Sequence, residues 1–167
     1  WMTRYGVNAA DPVVSGNEIF ISSGYGKGAV LLSWDGNGKP EKVWQNRDLR
    51  TQMNAAVLID GYLYGVDGNE SVDGTGLKCL DFKTGETKWT DTSIGHGTLC
   101  AVGDQLVVLS EMGALQIGAA SPAGFEPTVS TNVVPGRVWT VPVVANGKIF
   151  ARNAAGQLAA VKVGKDS

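Results

Sequence analysis

The feature of this sequence that most constrains its fold is a repeat. An apolar strand leading through a glycine turn into a second apolar strand occurs four times: PVVSGNEIFIS from Pro12, AVLIDGYLYGV from Ala56, LCAVGDQLVVLS from Leu99 and PVVANGKIFAR from Pro142. The turn glycines Gly16, Gly61, Gly103 and Gly147 lie 45, 42 and 44 residues apart, and the aligned apolar positions Ile19, Leu63, Leu106 and Ile149 lie 44, 43 and 43 apart. The Ser-Gly, Asp-Gly, Val-Gly and Asn-Gly pairs at the turns tolerate the positive φ that a tight hairpin demands. Each copy therefore predicts a hairpin of strands A and B.

A third strand, C, follows each hairpin: AVLLSW at 29–34, GLKCLD at 76–81, ALQIGA at 114–119 and QLAAVKV at 157–163. The first two units add a fourth, EKVWQ at 41–45 and ETKWT at 86–90; the third unit has a less clear segment between Phe125 and Asn132, and the fourth stops with GKDS after Val163. A period of roughly 40 to 45 residues with several short strands per unit is that of a β-propeller, whereas helical solenoids require a 3.6-residue period and helix caps that are absent. The inner strands read as near-continuous apolar runs, as strands covered on both faces must, and alternation returns in the outer ones. The expectation is an all-β propeller of four-stranded antiparallel blades at about 8–46, 54–91, 97–132 and 138–163 in one domain, the last blade lacking its outer strand. The Pro- and Ser-containing segment 120–127 fits a connection inside the third blade.

Bulk properties agree and exclude several functions. The chain has 167 residues, 23 of them glycine, with 43% hydrophobic and 18% charged residues, which suits a turn-rich β protein and not a disordered one. A formal net charge of -2 with scattered Lys and Arg offers no field for phosphates, so nucleic acid is not an expected partner. No apolar run approaches the roughly 18 residues of a spanning helix. The sequence opens on Trp1 and reads as a fragment or processed piece. Cys79 and Cys100, the only cysteines, read as small buried hydrophobes within strands.

The segment CLDFKTGETKW, from Cys79 to Trp89, resembles the tryptophan-docking motif of quinoprotein-like (PQQ-like repeat) β-propellers, Ala-x-Asp-x-x-Thr-Gly-x-x-x-Trp. Asp81, Thr84, Gly85 and Trp89 occupy the motif positions, and Cys79 stands where the family has Ala. Asp81 and Thr84 suit a hydrogen-bonded turn, Gly85 suits its φ, and Trp89 offers a flat ring to a neighbouring blade. Trp44 is the equivalent in the first unit and Trp1 in a blade whose other strands do not precede it; the third unit has no aromatic there. The resemblance implies an eight-bladed ring at full length, of which this chain is roughly the C-terminal four blades. It also implies a periplasmic or extracellular location and relatives that include quinone-dependent dehydrogenases and non-enzymatic scaffolds. Fold alone does not choose between these.

No constellation of residues carries chemistry. A dehydrogenase of this family implies a pyrroloquinoline quinone site, a Ca²⁺ held by oxygen ligands, a catalytic Asp and a vicinal Cys-Cys, and this sequence has no Cys-Cys. Arg4, Arg137 and Arg152 read as surface residues at loop ends. The loop DGNESVDG spaces Asp67, Asn69, Ser71 and Asp73 as oxygen ligands, but Val72 and Lys78 stand where a Ca²⁺ loop needs Gly and Glu. His96, the only histidine, supports neither a zinc cluster nor a catalytic triad. The expected function is a non-catalytic binding or scaffold module, without cofactor, metal or catalytic residue, offering its face to a protein or small ligand. A fragment of a quinone-dependent alcohol dehydrogenase is the alternative.

The open edge of the last blade demands a cover. Trp1 precedes Gly16 by 15 residues, as Trp44 precedes Gly61 by 17 and Trp89 precedes Gly103 by 14, so residues 1–5 are the expected closing outer strand, paired with 157–163. Closure in cis gives four blades, and closure in trans a homodimer with exchanged N-terminal strands and eight blades; the family's eight-fold blade angle favours the dimer.

Overall fold

The hairpin turns explain an irregularity in the glycine spacing. In the computed structural model, which describes residues 2, 3, 5–52, 54–68 and 74–164, each A–B turn has two residues: Gly16-Asn17, Asp60-Gly61, Gly103-Asp104 and Asn146-Gly147. Glycine takes the first place in two turns and the second in the others. Asp60 (φ 49°) and Asn146 (φ 50°) adopt the left-handed conformation that Gly16 (φ 58°) and Gly103 (φ 59°) adopt at the same position. Asx side chains tolerate this region better than other L-residues do. Counted at the first turn position, the spacing is 44, 43 and 43 residues, the spacing of the apolar positions.

The described residues are all-β apart from one 3₁₀ turn, Thr92–Ile94. Strands β1 (Val13–Ser15), β2 (Glu18–Ser23), β3 (Gly28–Ser33) and β4 (Glu41–Asn46) form the first antiparallel sheet in chain order. In the second, β5 (Val57–Ile59), β6 (Tyr62–Asp67), β7 (Gly76–Asp81) and β8 (Thr87–Asp91) repeat that order. The third contains β9 (Gly97–Val102), β10 (Gln105–Ser110), β11 (Ala114–Ala119) and β12 (Val129–Asn132), the last lying inside the segment expected to hold an outer strand. The fourth sheet has three strands among the described residues, β13 (Val143–Ala145), β14 (Lys148–Arg152) and β15 (Leu158–Lys162). Each sheet is a propeller blade.

Trp1 and Arg4, within the expected closing strand, lie outside the described residues, while Met2 and Thr3 belong to no strand and Tyr5 lies in a turn. Within one chain, then, the described residues of 1–5 supply no fourth strand to the last blade.

The chain forms two compact units, Trp1–His96 with Pro122–Gly124, and Gly97–Ser121 with Phe125–Ser167. In the first unit the ladder aligns Val13, Phe20, Leu31 and Trp44 into one row across blade one. That row meets Leu58, Leu63 and Leu80 of blade two, with Leu49 and Phe82, in a single core. In the second unit Cys100, Val107 and Ile117 of blade three pack with Val144, Ile149, Ala151 and Ala159 of blade four. Side chains alternate across a strand, so each blade has two rows, the one that blades one and three turn to the next blade of their unit and the one that blades two and four turn to the blade before. We call these the trailing and leading rows.

Candidate functional site: a tryptophan dock and a connector latch

The turn between β7 and β8 is built by Asp81. Its Oδ1 accepts from the backbone N–H of Lys83 and Thr84, both at 2.9 Å, and Gly85 N–H donates to the Asp81 carbonyl at 2.9 Å. Thr84 Oγ1 accepts from Glu86 N–H at 3.2 Å. Although desolvation opposes ionisation of Asp81, hydrogen bonds from Thr84 and Lys83 outweigh it and hold the carboxyl below its ordinary range. Gly85 takes φ 73°, and a Cβ there would lie 2.7 Å from Cδ2 and Cε3 of Trp44. The missing side chain is therefore the floor on which the Trp44 indole rests.

Trp44 comes from β4 of the preceding blade. Its Nε1–H donates to the Phe82 carbonyl at 3.0 Å, and Asn46 Nδ2 donates to the Gly85 carbonyl at 2.7 Å. Asp81, Thr84 and Gly85 are thus brought together with Trp44, the ring of the preceding blade and not the Trp89 of the same string. Trp89 lies elsewhere: it pairs in register with Cys79 on the trailing row, with its ring 6.1 Å from that of Tyr64. The motif read as one string splits between two faces of a blade, the turn receiving a tryptophan of the preceding blade and Trp89 lying on the opposite row. Trp1 is outside the described residues. In blade three Val129, 43% exposed, takes the register position of these tryptophans opposite Ile117.

A second cluster, on Asp67, was not legible as such in the sequence. Asp67 is fully buried at the end of β6, where Arg50 from the connector between blades one and two meets it three times: backbone N–H to Oδ1 at 2.6 Å, Nε to Oδ1 at 3.0 Å and a terminal guanidinium nitrogen to Oδ2 at 2.6 Å. Lys78 Nζ lies 2.8 Å from Oδ2 and donates to the Asp48 carbonyl at 2.8 Å. Burial alone raises the Asp67 pKa, but the hydrogen bonds from Arg50 and Lys78, with the Lys78 charge, outweigh it and hold the carboxyl down. From blade one, Ser22 Oγ donates to the Leu49 carbonyl at 2.8 Å and accepts Thr51 N–H at 2.9 Å.

The connector is therefore latched from both sides, which seats Leu49 in the core. The latch recurs at the same repeat position. Ser23 donates to the Val7 carbonyl at 3.2 Å, and Asn153 Nδ2 donates to the Pro135 carbonyl at 2.7 Å. The sequence signal available was one polar residue, Ser23, Asp67, Ser110 or Asn153, closing each apolar strand B.

The remaining candidates have structural partners. Asp67, first in the candidate Ca²⁺ loop, is committed to two cations, and Asn69, Ser71 and Asp73 lie outside the described residues. Arg137 Nε lies 3.1 Å from Glu111 Oε1, which also accepts Trp139 Nε1–H at 2.9 Å, and the guanidinium sits 4.9 Å from the Trp139 ring centroid. Arg152 is exposed, its carbonyl accepting the Thr140 hydroxyl at 2.9 Å, and Arg4 is not described. His96 is half-buried immediately before β9. Burial pushes the Cys79 thiol up to about 11 and raises Cys100 as well, which leaves both as poor nucleophiles. Among the described residues no group of three or more His, Cys, Asp or Glu is placed to hold a metal ion. No helix among them is long and apolar enough to cross a membrane. With Asp67 and Arg137 spent on internal ion pairs, these residues do not fit a quinone and Ca²⁺ site.

Residues 2–91 match the family described as outer membrane protein assembly factor BamB. No curated protein matches the chain. Among solved structures, BamB from Moraxella catarrhalis aligns over 92% of this chain and 42% of its own, with a TM-score of 0.69 and 15% identity. The computationally designed Ika4 protein aligns over 93% of this chain and 91% of its own (TM-score 0.66, 15% identity), and the designed Ika8 protein over 93% and 45% (TM-score 0.65, 14% identity). The chain thus spans less than half of the BamB structure and nearly all of one designed protein.

Proposed function

The chain belongs to the outer membrane protein assembly factor BamB family, and from that premise we propose that it is a non-catalytic propeller module working outside the cytoplasm as a scaffold in outer-membrane protein assembly. The observation that carries this reading is where its polar chemistry goes. Asp67, Arg50, Lys78, Asp81, Asn153 and the Glu111–Arg137 pair all hold connectors and turns, which suits a rigid platform, and among the described residues these groups do not converge on one point. The test is depletion of the protein in its host, followed by measurement of folded outer-membrane β-barrels through their heat-modifiable migration. A fall in folded barrels that the intact gene restores is expected; unchanged levels overturn the reading.

The same reading includes a pair of chains. Among the described residues β15 is the last strand of its sheet, and an edge strand is a template for one more. We propose that residues 1–5 of a second copy supply it, so that deleting them converts a species of about twice 17.5 kDa into one of 17.5 kDa by light scattering. An unchanged mass on deletion removes the exchange.

A further inference from the structure

The junction between blades one and two provides a template for what the outer faces of this chain accept. There the trailing row Val13–Phe20–Leu31 of blade one packs on the leading row Leu58–Leu63–Leu80 of blade two, and Phe82, just past β7, is buried with them. Across the rim of this contact Glu18, at the start of β2, pairs with Lys83 of the β7–β8 turn, Nζ to Oε2 at 2.5 Å.

The first and last blades carry the same positions less covered: Ile19, Leu32 and Phe150 are half-buried, and apolar residues beside them are exposed. The leading row of blade one is Val14–Ile19–Leu32, and Trp34 is the counterpart of Phe82. Val14 is 63% and Trp34 42% exposed, where Phe82 is 2% exposed. The trailing row of blade four is Val143–Phe150–Ala160, with Leu158 one step along the same face; Val143 is 57% and Leu158 68% exposed.

The charges at the rim identify the occupant. Lys148 opens β14 where Glu18 opens β2, and Asp35 follows β3 where Lys83 follows β7. The pair of the internal junction reappears at the two open faces with its signs exchanged, so the trailing face of blade four is complementary to the leading face of blade one. Asp35 is also held in place, its Oδ1 accepting Asn37 N–H at 2.9 Å while Trp34 N–H donates to the Asn17 carbonyl at 2.8 Å. Each face has exposed apolar members, Val14 and Trp34 on blade one and Val143 and Leu158 on blade four.

We propose that the trailing row of blade four seats on the leading row of blade one of a second copy, with Trp34 as the buried anchor and Lys148 paired with Asp35, twice about a two-fold axis. This rests on the reading that two copies pair and names the faces that meet.

Sedimentation velocity over about 1–100 µM, with far-UV circular dichroism to verify folding, tests it. Lys148→Glu and Asp35→Lys are each expected to weaken self-association about tenfold, because symmetry places the like-charge contact at both junctions. The combined Lys148→Glu/Asp35→Lys chain is expected to recover the original affinity, and Trp34→Ala to weaken pairing while remaining folded. A wild-type chain that stays monomeric throughout this range removes both the pairing and these faces. A wild-type dimer indifferent to the single reversals, or not rescued by the double one, keeps the pairing and overturns the proposed junction.

Discussion

Asp67→Ala is expected to destabilise the protein by about 3–5 kcal/mol, the scale seen when one member of a buried ion pair is removed and its partners are left behind. The alanine leaves Arg50 without the carboxylate that both its backbone and its guanidinium use, and leaves the Lys78 ammonium facing a cavity. The connector residue Leu49 then loses one of its two anchors. Urea unfolding followed by circular dichroism measures the loss, and a change below about 1 kcal/mol would mean that the cluster is solvated and that the latch contributes little.

The same group sets an acid limit with a definite sign. Asp67 has its pKa depressed in the folded chain, so its contribution is complete above the ordinary carboxylate value of about 3.9 and fades as pH falls through the lower folded value. Wild-type stability should therefore drop between about pH 4 and the folded pKa, and the gap between wild type and Asp67→Asn should narrow over that interval.

Trp44→Ala is expected to cost about 3 kcal/mol, near the low end for a buried aromatic because the ring is only partly buried. It removes the ring resting on Gly85 and the bond from Nε1 to the Phe82 carbonyl; Trp44→Phe keeps most of the area and should lose about 1 kcal/mol. Gly85→Ala introduces a Cβ at φ 73° and 2.7 Å from the indole, so it should destabilise in the Trp44 background and cost markedly less once Trp44 is alanine. A thermodynamic cycle on thermal unfolding should give a Trp44–Gly85 coupling above about 1 kcal/mol. Were Trp89 the ring seated on this turn, the coupling would follow Trp89, and a matching cycle with Trp89→Ala separates the two.

The tryptophan dock was half legible. Asp81, Thr84 and Gly85 form their turn from neighbours in sequence, because an Asx side chain closes on backbone two and three residues ahead. Which ring fills the seat is a contact between Trp44 and Gly85 across 41 residues, and no local signal carries it. The latch was hidden for the same reason. Asp67 opens a run of acidic and amide residues that resembles a cation loop, and only the fold brings Arg50 from the connector and Lys78 from β7 against it.

By itself the sequence determined the four blades, because strand, two-residue turn and strand are set within a few residues and the 43-to-44-residue period repeats them. It determined the alternation of rows as well, since the period of two along a strand is fixed by the backbone. Only the tertiary structure decided which side chain each polar group answers to, and which rows are covered and which left open. Val14 and Leu58 stand at the same position and read alike, yet Leu58 packs into the core of its unit while Val14 is 63% exposed. Leu58 meets the apolar row of blade one, and burial depends on the neighbour as much as on the residue.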